Sequence, residues 1–210
     1  MSALPLNASV MPLADIRDQS LAWMAQCIDL VNGTNVEDSP RAKIAAAFQH
    51  LCIEHYTAIH ILIDQDVRSS ALALLRPQFE AYVRGAWYHH CAPDGAIEKL
   101  VRGGSTPQLA DLVEALQVIP AYSAGSLARI KAEHGQALND FTHGGAIQVF
   151  SRLENWQITS RHTDANVETA LRFSARLSML AGVAIAEIAK NDVLGNNIKV
   201  AYDGIFERAA

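Results

Sequence analysis

Arg76, Glu80 and Arg84 stand four residues apart in the segment Ser69 to Cys91, SSALALLRPQFEAYVRGAWYHHC, whose other positions are mostly apolar. On a helix each four-residue step turns by about 40°, so the three charges form one stripe, with Trp87 between them and His90 beside Arg76. Forked guanidinium groups suit phosphate oxygens, and a carboxylate between them can hold an Arg in orientation. Leu72, Leu75, Phe79, Tyr82, Val83 and Ala86 cover most other faces, which predicts a largely buried helix where unpaired charge is very costly. Two arrangements meet that requirement. The charges close into an Arg-Glu-Arg network inside a helical core, or they line a cleft.

A second polar group, Asp140, Thr142 and His143, precedes the pair Gly144-Gly145. His143 falls where helix carbonyls end, and the negative end of the helix dipole favours its protonated form, so it can exchange protons near neutral pH. The alternative is a capping His bonded to a neighbouring carboxylate. If the two groups meet, Arg76, Glu80, Arg84, Asp140 and His143 share one polar pocket. Arg76, Arg84, Asp140 and His90 would then bind ligand, and His143 and Glu80 would carry any catalysis, His143 as proton donor or acceptor and Glu80 as the group that orients an Arg.

Other patterns point to less. His50 and Glu54 share a helix face, with His55 turned away, but the paired Glu-x-x-His motifs of di-iron bundles are missing, so no metal and no cofactor is expected. Arg102-Gly103-Gly104-Ser105-Thr106-Pro107 lacks the Lys-Ser/Thr ending of a phosphate loop and reads as a linker. There is no nucleophile elbow, and no Cys stands beside a base.

These residues must be positioned by helices. Half of the 210 residues are hydrophobic, 19% are charged, and apolar positions recur at helical spacing without sustained alternation, which predicts an all-α, single-domain bundle of about seven to nine helices over residues 1–210. Residues 1–12 are expected to be a flexible segment without signal-peptide character. A first helix runs from about Ala14 to Val31. Ser39 caps a second with Pro40 at its first position. Pro77 inside the third removes the bond to the carbonyl of Ala73, predicting a kink beside Arg76 and a carbonyl free to accept a side chain or water. Shorter helices follow to Ala124, then one from about Ser126, a polar linker at Trp156 to Thr163, a long helix over about Asn166 to Lys190 capped by Asp164, and a last helix over Asn197 to Arg208. Ser178, Gly182 and Ala186 form a small-residue ridge, either tight packing within the fold or a dimer seam. The net charge of -5 gives no basic footprint for non-specific nucleic-acid binding. Cys27, Cys52 and Cys91, each in an apolar helical context, read as reduced thiols of a cytoplasmic protein, and no run approaches the roughly 20 apolar residues of a membrane span.

The segment LLRPQFEAYVRGAWYHHCA, followed some fifty residues on by ALNDFTHGG, resembles an uncharacterised bacterial helical family over roughly His50 to Gly145. That family looks related to the higher eukaryotes and prokaryotes nucleotide-binding (HEPN) superfamily and to abortive-infection-type proteins. The resemblance implies a HEPN-like bundle that pairs as a homo-oligomer, with RNA or a nucleotide as ligand. It implies a metal-independent endoribonuclease of a stress or phage-defence system, with an antitoxin-like protein partner. The HEPN nuclease signature, an Arg followed after four to six residues by a His, is met by Arg84 with His89 or His90 and by Arg129 with His134. The expectation is therefore a phosphate-ligand-binding protein. The alternative is a non-enzymatic helical interaction protein whose Arg-Glu-Arg network is structural.

Overall fold

Ser39 opens the helix on which the rest of the protein is built: its Oγ accepts from the amide of Ala42 at 3.2 Å, and Pro40 occupies the first helical position. The structure, a computed structural model, describes residues 12–207. The expected flexible segment therefore lies outside the described residues except for Pro12.

Helix α1 (Leu13–Val31) stops at Asn32 and Gly33, whose φ of 76° suits glycine. It leads through a polar loop to α2 (Pro40–Asp64). The third helix is broken as Pro77 requires, into α3 (Arg68–Ala73) and α4 (Leu75–His90), with Leu74 at the break. Helices α5 (Asp94–Val101) and α6 (Leu109–Leu116) and a 3-10 turn (Pro120–Tyr122) make up the loop-rich middle. Next come α7 (Ser126–His143), ended by Gly144 in the left-handed region, and the short α8 (Ala146–Phe150). The chain closes with α9 (Asp164–Ile188) and α10 (Asp192–Phe206). Counting α3 and α4 as one kinked helix gives nine α-helices among the described residues, within the expected number.

Helix α2 packs against both α4 and α9, which also touch each other, and α1 and α10 pack on α9 and on one another. Buried polar pairs fix the registers. Trp23 donates to Ser178 Oγ at 2.8 Å between α1 and α9, and Gln78 and Ser174 exchange bonds of 2.9 and 2.7 Å between α4 and α9. Each pair satisfies polar atoms that burial would otherwise penalise. One helix among the described residues, α9, is long and apolar enough to cross a membrane, with a mean hydropathy of 1.2, but 61% of that stretch is buried in this core.

The Ser178, Gly182 and Ala186 ridge faces inward. Ser178 is fully buried and Ala186 nearly so, and a Cβ on Gly182 would stand 3.3 Å from Ile198 of α10 and 3.7 Å from Val31 of α1. The ridge is tight packing within the fold and offers no seam to a second copy. The cysteines are free, Cys27 and Cys52 buried and Cys91 partly so; burial pushes the Cys27 thiol up to about 12.

Three local features differ from the sequence reading. The cap of α9 is Thr163, whose hydroxyl accepts from Asn166 N at 3.2 Å, because the helix begins at Asp164 itself. Helix α10 starts five residues earlier than expected, on an Asn191 cap, and carries Gly195 inside it, where an added Cβ would meet Ala186 Cβ at an ordinary contact distance of 3.5 Å. The polar linker contains an antiparallel pair, β1 (Leu153–Glu154) and β2 (Gln157–Ile158), turned by Asn155 and Trp156 with φ of 47° and 66°. Two-residue strands are too short to show alternation.

Candidate functional site

Up to Tyr88, helix α4 exposes one edge from an otherwise buried cylinder, and that edge carries the stripe. Arg76 Nε donates to Glu80 Oε1 at 2.8 Å, and Arg84 Nη2 donates to Glu80 Oε2 at 3.0 Å, so one carboxylate holds both guanidiniums. Each Arg also reaches another element. Arg76 Nη1 donates to Asn139 of α7, and Arg84 Nη1 to Thr106 and, at 3.4 Å, to the Pro107 carbonyl in the loop before α6. The side chains of Arg76, Glu80 and Arg84 are 28%, 22% and 18% exposed, less buried than a sealed network requires. Partial burial pushes the Glu80 carboxyl up, yet the hydrogen bonds and positive charge of both Arg outweigh it, and the net shift is downward.

The break at Pro77 is what joins α4 to the end of α7. The freed carbonyl of Ala73 accepts a bond of 3.0 Å from the hydroxyl of Thr142, which places His143 next to the stripe. An open pocket of about 420 Å³ results, lined by Arg76, Pro77, Glu80 and Arg84 of α4, Thr142 and His143 of α7, and Phe48, Leu51 and His55 of α2. Arg76 and Asn139 also edge a second opening of about 400 Å³, which contains Lys131.

The expected residues divide. Arg76, Glu80, Arg84 and His143 come together as anticipated. Asp140 does not join them: it accepts from Gln136 Nε2 at 2.8 Å and from the Ile147 amide at 3.3 Å, so it secures the turn into α8. Its neighbour Asn139 faces Arg76 instead, because consecutive helical residues point about 100° apart. His90 is not beside Arg76. Fourteen residues of helix put them about 21 Å apart along the axis, and His90 lies with His89 near Glu187 of α9, 3.8 Å from its Oε1. Of the Arg-His spacings, Arg84 lines this pocket while His89 lines a different one. His55, Phe48, Asn139 and Thr106 were missed, since no motif links them to α4; Pro77 made the freed carbonyl of Ala73 legible, but not Thr142 as its donor.

Removing the Glu80 carboxylate should be felt at neutral pH. Glu80→Ala is expected to lower stability by about 1–2 kcal/mol, the scale of charge-assisted bonds at a partly exposed site. Because the folded Glu80 titrates below its ordinary value of 4.5, its contribution is full above that pH and is lost as pH falls through the folded value. Urea melts of the parent and of Glu80→Gln should therefore differ at pH 7 and converge in acid. A gap that widens on acidification would contradict this.

Residues 49–208 match the model of a family of unknown function, DUF6988. No curated protein and no solved structure matches the chain.

Proposed function

We propose that this chain, which belongs to the DUF6988 family of unknown function, binds a phosphate-bearing ligand, RNA or a nucleotide, in the pocket between α2, α4 and the end of α7. One observation carries the reading: the Arg-Glu-Arg stripe borders an opening of about 420 Å³ together with Thr142 and His143, where a sealed core network would leave none. The donors support it. Arg76 keeps its Nη2 group without a hydrogen bond among the described residues, and Arg84 its Nε, so each retains N–H groups for phosphate oxygens. Phe48 and Leu51 of α2, with Pro77 of α4, add apolar surface against which a base or ribose can pack.

In this reading Glu80 orients the guanidiniums and His143 donates or accepts a proton at the phosphate. An attacking 2′-hydroxyl that loses its proton to His143 as it bonds to phosphorus, while the P–O5′ bond breaks and the 5′-oxygen leaves with a proton from solvent, would yield a 2′,3′-cyclic phosphate and make the reaction a metal-independent RNA cleavage, which is the activity of a HEPN-like ribonuclease of a defence system. A cytoplasmic location and a homo-oligomeric or antitoxin-bound form belong to the same proposal.

The test is direct. Nucleotide and single-stranded RNA binding should fall about tenfold or more in Arg76→Ala and in Arg84→Ala, the loss of one charge-assisted contact each. His143→Ala should keep the circular dichroism of the parent while losing any cleavage of total cellular RNA, because an exposed helix-end His contributes only about 0.3–1 kcal/mol to stability. Equal binding by the parent and the Arg76→Ala/Arg84→Ala double variant would end the proposal. One observation favours a structural alternative: both Arg side chains also bond outside α4, to Asn139 and Thr106, as braces do. Under that reading the double variant loses stability and the parent binds no nucleotide.

A further inference from the structure

The C-terminal turn of α4 and the last turn of α9 bring His89, His90 and Glu187 to one point, away from the phosphate pocket. Both imidazole Nε2 atoms lie 3.8 Å from Glu187 Oε1, and one ligand atom from each of the three residues falls within 4.8 Å of the others. At 3.8 Å neither contact is a hydrogen bond, so the three groups converge without satisfying one another. Donors around a divalent ion at about 2.0–2.2 Å stand roughly 3.2–3.5 Å apart, so small rotations of these side chains close the set.

We propose that His89, His90 and Glu187 bind a divalent transition-metal cation of the zinc class, with three protein ligands and at least one position left open to solvent. Two imidazoles and one carboxylate are the donors such borderline ions take, whereas magnesium and calcium prefer oxygen alone. The rings are held in place. His90 packs edge-on against Tyr122 at 5.9 Å and against His89 at 4.4 Å, and the side chains of His89 and His90 are 27% and 17% exposed.

The surroundings admit a cation. His89 and Glu187 open onto a cavity of about 610 Å³ that also contains Glu37, Asp94 and Glu98, four carboxylates in all against Arg41 and Lys190. Arg41 opposes a second cation nearby, but its guanidinium is engaged by the Tyr88 carbonyl at 3.0 Å and by Asp94 at 2.9 Å. Lys190 is paired with Glu37 at 3.2 Å. An ion here would tie the end of α4 to the end of α9 and hold a water facing the cavity, whose acidity it would raise.

The experiment uses tag-free protein stripped by chelator, titrated calorimetrically with zinc and followed by absorption with cobalt. The expected result is one ion per chain, a cobalt visible spectrum of low coordination number, and a higher Tm with saturating zinc. His89→Ala, His90→Ala and the near-isosteric Glu187→Gln should each weaken zinc at least tenfold, with the circular dichroism of the parent retained. His134→Ala, next to Glu133 on α7, and Cys91→Ser should leave the affinity unchanged. Failure of the parent to bind zinc stoichiometrically, or undiminished binding by the three ligand variants, overturns the proposal. Nucleotide binding by Arg76→Ala reads the other pocket, so the two proposals fail separately.

Discussion

Gly182→Leu is expected to lower stability by about 3 kcal/mol or more, a fall in Tm of roughly 6–12 °C for a chain of this size, whatever the protein concentration. The reason lies in the three-helix contact at that residue. A Cβ alone would sit 3.3 and 3.4 Å from two carbons of Ile198 and 3.7 Å from Val31, all in a region where Ile198 is fully buried. Three further carbons have nowhere to go unless α10 or α1 moves from α9, and that movement would break the Trp23 to Ser178 bond one turn away. Gly182→Ala should cost little, because only the end of a flexible Ile side chain must yield, while the helix gains about 1 kcal/mol of propensity. Thermal melts at several concentrations beside sedimentation decide the matter. A Leu variant that melts like the parent but changes its association state would return the ridge to a surface role.

That ridge shows where the sequence was informative and where it was not. Spacing by four announced a close helix approach but not which helix approaches, because a small-residue ridge has the same pattern whether α10 or a second copy fills it. Pro77 was more explicit. Its missing N–H named the orphaned carbonyl of Ala73 in advance, and the hydroxyl of Thr142 supplies the donor. Asp140 and His90 failed for a geometric reason, since adjacency in sequence or along a helix says nothing of direction: Asp140 serves a turn, and His90 points to α9. The His89, His90 and Glu187 convergence joins residues nearly a hundred positions apart and has no local signal. The helix bundle itself was legible because apolar periodicity is repeated over many turns, whereas the Leu153 to Ile158 hairpin offered too few residues to repeat anything.

The crossing of α2 and α4 sets the width of the pocket that holds the Arg-Glu-Arg stripe, and Gly85 and Gln49 set that crossing. A Cβ on Gly85 would meet Gln49 Nε2 at 2.5 Å and Cδ at 2.8 Å, with the Gln49 side chain fully buried and its Nε2 donating to the Tyr82 carbonyl at 3.2 Å. Gly85→Ala is therefore expected to lower stability by about 1–3 kcal/mol despite the propensity gained, since the Gln49 amide must leave its acceptor or the helices must part. Gln49→Ala alone should cost about 1–2 kcal/mol through the lost bond and the space left behind. Combined, the two changes should cost at least 1 kcal/mol less than their sum, because the Cβ fills space that the amide vacates. The consequence for function follows from sequence neighbours. Phe48 precedes Gln49 and Arg84 precedes Gly85, and both line the pocket, so Gly85→Ala should also weaken nucleotide binding while the double variant restores part of it. A double-mutant cycle in urea, read beside nucleotide titrations, measures both. Strictly additive stabilities would mean that Gln49 does not set the distance between the helices, and the pocket would then owe its width to another contact.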